Sequence, residues 1–322
     1  MASGNLKKTL TPSMWRMSAQ CGRVTFARLS ALVMLVVGCV TSQGYSQGTG
    51  KPKEYPAQKR TLVTKDNWRI AITYFQSSAG ENAPVVILLH DKGGNRLVWE
   101  KGFAPQLQKN GNGYAVISVD LRKHGQSSRL GEKSSQNLRA KDYAAMVTQD
   151  LEAVKDFIFK EHQKRNLNMR KTAIVAPEMS APIAMAFAIN DWLKKPIPDA
   201  PTFETRTPRG QDIRALILIS PNESLPGMSV GKMSLPLREP EWQIAFLAVH
   251  GTADDGATRK IYERLTKPRG NDMRMYLRSY KSKLRGTALV KPATDIEAHM
   301  IAFLELHLKE LTDEWRDRKG RL

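Results

Sequence analysis

The chain has 322 residues, of which 50 are Lys or Arg and 31 are Asp or Glu, giving a formal net charge of +19 at neutral pH. Hydrophobic residues make up 41% and charged residues 25%, proportions that exclude a disordered chain and suit one that buries a core. Two cysteines, Cys21 and Cys39, exclude a disulfide framework, and the length fits one α/β domain of roughly 250 residues behind an N-terminal extension.

The first fifty residues differ from the rest. Lys7, Lys8, Arg16, Arg23 and Arg28 are basic, and no acid precedes Glu54. An apolar run from Leu29 to Val40 follows, broken only by Ser30 and Gly38. At about a dozen residues it is short of the roughly 20 needed to span a bilayer. A basic start, a short apolar stretch and then small polar residues predict a secretory signal over 1–46; a buried helix or an N-terminal anchor is the alternative. Leu35-Val36-Val37-Gly38-Cys39 resembles a bacterial lipobox with Val36 where Leu is usual, which makes Cys39 a lipidation candidate. Simple cleavage between Val40 and Ser46 is the other route. The expected location is exported: periplasm, cell envelope or extracellular space.

Five of the 50 basic residues leave with the signal, so 45 face 31 acids and the mature chain carries +14. That favours anionic partners. The basic residues are nonetheless spread along the chain and alternate with acids, and no nucleic-acid-binding signature accompanies them. The expected partner is an unknown small molecule or an anionic component of the envelope. Nucleic acid is not expected, and a membrane is expected only through the signal or a lipid anchor. No cofactor is expected.

The remaining elements follow in order. Residues 47–59, rich in Gly, Gln, Lys and Pro, read as a flexible linker. Arg60 to Thr64 and Trp68 to Phe75 predict an antiparallel hairpin across Lys65-Asp66-Asn67. Pro84 to His90 is continuously apolar, as a strand covered on both faces should be. Leu97 to Asn110 predicts a helix and Tyr114 to Asp120 another buried strand. Tyr143, Val147, Leu151, Val154 and Ile158 lie on one stripe of a long helix from Arg139 to His162. The strand Thr172 to Pro177 runs into an Ala-rich helix. Strands are expected at Arg214 to Ser220, Ile244 to His250 and Met273 to Tyr280, and helices at Ala257 to Thr266 and Ala293 to Leu311. Asp191 to Asp212 and Pro221 to Trp242 are longer connections, the second sized for a small lid. Residues 313–322 read as a basic C-terminal tail. The alternation predicts an α/β domain over 60–312, a mostly parallel sheet with helices on both faces.

The strand, tight turn and helix around residue 178 have the layout of a nucleophile elbow, whose usual signature is Gly-x-Ser-x-Gly. Here that signature falls on Ala176-Pro177-Glu178-Met179-Ser180. A register with Ser180 as nucleophile would put Glu178 and Pro182 where a tight crossing wants no Cβ. A metal site from Glu178, Asp254 and Asp255 lacks a His or Cys cluster, and none is expected.

Four segments resemble the α/β-hydrolase family over about residues 60–312: His90-Asp91-Lys92-Gly93-Gly94, Asp120-Leu121-Arg122-Lys123-His124-Gly125-Gln126-Ser127, the elbow, and His250-Gly251-Thr252-Ala253-Asp254. The resemblance implies the α/β-hydrolase fold with a small cap or none. It also implies triad-equivalent positions at Glu178 for the nucleophile, Asp254 for the acid and Arg285 for the histidine. Asp91, Lys92 and Met179 take the positions that build the oxyanion hole. A serine hydrolase needs a hydroxyl, an imidazole and a carboxylate. Glu178 has no hydroxyl, and Arg285 stays protonated and cannot be a base. An ionised Asp91 would oppose a developing oxyanion. The expected protein is a non-catalytic binding or scaffold protein of the envelope. The alternative is an active ester or acyl hydrolase working through Glu178 and Asp254; the family's branches with an acidic nucleophile still use a water-activating His. Arg285 is expected to bridge Glu178 and Asp254, or else to point into solvent.

Envelope-derived protein is expected to begin at Cys39 or between Val40 and Gln47, as read by intact mass and N-terminal sequencing. A diacylglyceryl mass on Cys39 identifies the lipoprotein route; a chain retaining Met1 counts against export.

Overall fold

The computed structural model describes residues 55–109, 113–129, 137–203, 205–252, 255–267, 274–290 and 295–318, all in one unit of the chain. The signal region 1–46 with Cys39 lies outside the described residues, as do Ala253 and Asp254.

Eight strands form one sheet: β1 (Gln58–Val63), β2 (Arg69–Phe75), β3 (Val85–Leu88), β4 (Ala115–Val119), β5 (Thr172–Pro177), β6 (Ile213–Ile219), β9 (Ala245–Gly251) and β10 (Met275–Tyr280). Their spatial order is β1-β2-β4-β3-β5-β6-β9-β10. The β1–β2 and β2–β4 pairs are antiparallel and the rest parallel. The small ribbon β7 (Ser224–Leu225) and β8 (Met228–Ser229) stands apart, turned at Gly227 with φ +82.

The central strands are buried on both faces because their side chains alternate and both sets are apolar. Ile87, Ile117, Ile174 and Leu216 face α4 (Leu151–Gln163) and α5 (Ser180–Trp192). Val86, Val116, Val175 and Ile217 face α1 (Leu97–Glu100), α2 (Phe103–Gln108) and α9 (Ile296–Leu304). The stripe read from the sequence, Tyr143 to Ile158, is buried throughout.

Several boundaries differ from expectation. Gln58 and Lys59, read as linker, pair with Tyr74 and Thr73 of β2. The helix expected from Leu97 breaks at Lys101-Gly102, where Gly102 takes φ −132 and ψ −94. The long helix is α3 (Ala140–Ala145), a π turn over Met146–Asp150, and then α4. The closing helix α9 ends in another π turn, Glu305–Lys309. Between β6 and β9 the lid is small: the ribbon and α6 (Val230–Leu237).

The C-terminal segment read as a tail packs against the domain as far as Arg318. Arg318 is 2% exposed and grips both oxygens of Asp212 at 2.7 and 2.5 Å. Asp313 pairs with Arg170 at 2.7 Å and Arg214 at 3.4 Å, and the Trp315 indole N–H donates to the His162 carbonyl. A charge-rich run reads as solvated in sequence, but these charges meet opposite ones on the domain.

The turn after β4 is a polar knot. The Asp120 carboxylate is fully buried and accepts the Arg96 and Gln126 backbone N–H groups at 2.6 and 2.8 Å, and the Arg96 guanidinium as well. Gly125, at φ +52, has no room for a Cβ beside that carboxylate. Arg122 in turn holds Asp150 and Asp66. Asp120→Ala removes the fully buried carboxylate that holds Arg96 and leaves it, among the described residues, only the Glu100 carboxylate at 3.3 Å, so urea unfolding is expected to show a loss of up to about 3–5 kcal/mol.

Candidate functional site

The parallel strands deliver their carboxyl ends to one edge of the sheet. β5 ends at Pro177, and Glu178 then turns sharply with φ +39. That left-handed backbone costs a non-glycine residue roughly 1–2 kcal/mol. It persists because both its peptide groups are tied down. The Glu178 N–H donates to the Ile219 carbonyl at 2.8 Å, and its carbonyl accepts from Asn222 and Ala181 at 3.2 Å each. The Ser180 hydroxyl donates inward to the His90 carbonyl and is fully buried, so Ser180 is a brace of the elbow and no nucleophile. The elbow is therefore intact in form, with a carboxylate at its apex.

Arg285 meets that carboxylate. Its Nε donates to Glu178 Oε1 at 3.1 Å, with the two side chains 39% and 27% exposed. The expected arm to Glu178 exists. The arm toward Asp254 falls outside the described residues.

Asp91 makes the second clip. Its carboxylate accepts the Thr287 N–H at 3.0 Å and the Thr287 hydroxyl, capping the short helix α8 (Gly286–Leu289). Burial, together with the negative charge of Glu178, raises the Asp91 carboxyl above its ordinary value, and the Thr287 bonds oppose that shift. Between the two carboxylates lies Gly286, at φ +52; a Cβ there would overlap Asp91 and press on Glu178 Cγ at 3.0 Å. Thr287 and Gly286 had no role assigned from sequence. The signal was a Gly-Thr pair opening a helix directly after the arginine.

The other expected residues separate. Lys92 is exposed in the turn Asp91–Gly94, and Gly93 takes the positive φ (+76) that such a turn demands. The Met179 side chain is buried in the core under the elbow. The histidines serve packing. His90 is buried; its Nδ1–H faces the Asp91 carbonyl at 2.8 Å and its Nε2 accepts the Leu121 N–H at 3.1 Å. Burial pushes its pKa down to about 4. The His124 ring lies tilted beside it, with centroids 4.8 Å apart, and its pKa is also lowered by burial. His162 faces the Leu167 and Arg316 carbonyls, His250 the Gly251 carbonyl, His299 the Tyr280 hydroxyl and His307 the Tyr276 hydroxyl. Among the described residues no cluster of three or more His, Cys, Asp or Glu could hold a metal.

A family model described as the alpha/beta hydrolase fold matches residues 84–159, which include the oxyanion-loop and Asp120 motifs. Among solved structures, an esterase from Pyrococcus furiosus is similar at 16% identity and a TM-score of 0.54, over 79% of this chain and 94% of that one. A dienelactone hydrolase from Anabaena variabilis is similar at 13% identity and a TM-score of 0.53, over 79% and 100%. An α/β hydrolase, GrgF, from Penicillium sp. sh18 matches at 13% and 0.51, over 79% and 99%. No protein of curated function matches the sequence.

Because the Glu178–Arg285 pair is partly open to water, Arg285→Ala is expected to cost about 1 kcal/mol or less in urea unfolding. His90 gives a pH signature. Its folded pKa lies below its unfolded value of about 6.5, so acid favours the unfolded chain, which takes up a proton that the folded imidazole refuses. Stability is intact above about pH 6.5 and lost as pH falls toward 4. In His90→Gln, the unfolding free energy is expected to fall less steeply with pH over that window, by up to one proton's worth of slope.

Proposed function

The chain has the α/β-hydrolase fold, and on that scaffold we propose a non-catalytic binding or scaffold protein, exported to the cell envelope. The observation that carries the first half is the 3.1 Å ion pair between Glu178 and Arg285, the residues at the nucleophile and histidine positions. In a working triad these two positions pass a proton between hydroxyl and imidazole. Here one is a carboxylate and the other a protonated guanidinium that cannot accept a proton, and each compensates the other's charge. Asp91 adds a third departure, placing a carboxylate in the oxyanion loop and directing it at Thr287. All three departures turn groups of the site toward holding the loop 285–287 in place. The basic, acid-free start and short apolar run support export, and the excess positive charge supports an anionic partner.

Activated-ester turnover decides the matter. Wild type is expected to be no faster than Glu178→Ala, and a serine-directed fluorophosphonate is expected to leave the protein unlabelled. A wild-type rate about 100-fold above the variant, the scale of one working catalytic donor, overturns the reading. Glu178→Ser alone is expected to stay inactive, because Arg285 still supplies no base.

A further inference from the structure

The face of the sheet that α4 and α5 cover holds a second feature. Met169 precedes the amino end of β5 and Glu178 follows its carboxyl end, about 20 Å apart for a strand of that length. Beside α4 lies a cavity of about 530 Å³, within the range of about 300–1,000 Å³ that small-molecule sites occupy.

Its floor is rigid and electrically balanced. Lys155 of α4 is buried against Asp191 and Asp212, the latter at 2.9 Å. Asp212 is shared with the buried Arg318, and Asp191 also accepts the Asp212 and Ile213 backbone N–H groups. Two cations and two carboxylates thus neutralise one another at the floor, which Lys155 and Arg318 line. Met169 and the half-buried Phe159 give the same cavity an apolar surface.

The rim is different. Lys65 comes from the β1–β2 turn, Lys195 from the end of α5, and Arg209 from the connection into β6. All three are exposed, and none makes an ion pair with a carboxylate among the described residues. Lys194 is already neutralised by both oxygens of Glu152 at 2.7 Å. Asp156 is the remaining acid of the lining; burial and then the charge of Glu152 raise its carboxyl, and Lys65 opposes that shift. Counting the floor, the site carries two positive charges in excess. Cations scattered over a convex surface would repel and be hydrated separately. Here three separate segments bring them to one concavity with an apolar wall.

We propose that this cavity binds a dianionic, phosphomonoester-type group attached to an apolar or aromatic body, with Lys65, Lys195 and Arg209 on the anion and Phe159 and Met169 against the body. The charge matches: a phosphomonoester carries about −1.5 to −2 at neutral pH. The Arg209 fork can take two phosphoryl oxygens, and the lysines act as point charges around them. This site does not depend on the elbow, so its test is separate from the ester assay.

The test is calorimetric titration of the full chain with phenyl phosphate, inorganic phosphate and phenol. Phenyl phosphate is expected to bind, inorganic phosphate more weakly, and phenol not measurably. The exposed-residue variant Lys65→Gln/Lys195→Gln/Arg209→Gln is expected to bind phenyl phosphate at least about tenfold more weakly, with circular dichroism confirming an unchanged fold. Added salt is expected to weaken wild-type binding. Vesicles of phosphatidic acid against phosphatidylcholine tell the source of the group. Retention on phosphatidate that phenyl phosphate displaces assigns it to a lipid headgroup, and binding of phenyl phosphate without retention assigns it to a soluble ligand. Equal affinity in wild type and triple variant, no phenyl phosphate binding, or phosphate binding as tightly as phenyl phosphate overturns the proposal. So does vesicle retention that the triple variant keeps.

Discussion

The carboxyl edge of this sheet is organised around a missing side chain. Gly286 sits where any Cβ would overlap the Asp91 carboxylate and crowd Glu178. Because nothing projects there, the loop after β10 lies directly on the ends of β3 and β5. That close approach puts Arg285 beside Glu178 on one side and Thr287 beside Asp91 on the other. Two carboxylates facing one opening would repel each other. Each is answered by a donor from the same loop, so the loop is held by the groups that would otherwise oppose one another.

The charge pairs of the molecule fall into two classes by burial, and burial decides what they do. Arg96–Asp120 and the Lys155–Asp191–Asp212–Arg318 cluster are shut away from water. Pairs of that kind gain little over an apolar core, but losing one member leaves a charge stranded. They fix where β2, β4, α4 and the C-terminal segment meet. Glu178–Arg285 is partly solvated, so solvent weakens its Coulomb energy and its effect is mostly geometric. The fold rests on the first class and tolerates change in the second. A site that departs from triad chemistry can therefore sit on an unperturbed scaffold.

Two regions of the molecule contrast in sign. At the carboxyl edge, Glu178 is paired with Arg285, and Asp91 is held by the Thr287 N–H and hydroxyl. On the face of the sheet that α4 and α5 cover, Lys65, Lys195 and Arg209 line a cavity and make no ion pair among the described residues. The chain's positive charge, which looks evenly spread in the sequence, is thus locally uneven once folded. Crossovers through α4 and α5 bring together segments that are distant along the chain.

Much of this architecture was legible in the sequence because it is written in short-range periodicity. The apolar strands, the stripe from Tyr143 to Ile158 and the turn residues of the Asp120 motif are local patterns with local causes. The occupants of the elbow and of the histidine position, Glu178 and Arg285, were read there too. The reading from periodicity passed over the breaks in regularity, at Lys101-Gly102, where glycine weakens the helix locally, and in the two π turns. It also missed pairings whose partners lie far apart. Thr287 reaches Asp91 across 196 positions and Arg318 reaches Asp212 across 106. A charged side chain in sequence carries no sign of whether folding will bring it an opposite charge. So the sequence determined which groups stand at the sheet edges. Tertiary structure alone decided which of them meet, because that depends on how strand order and crossovers place separate segments side by side.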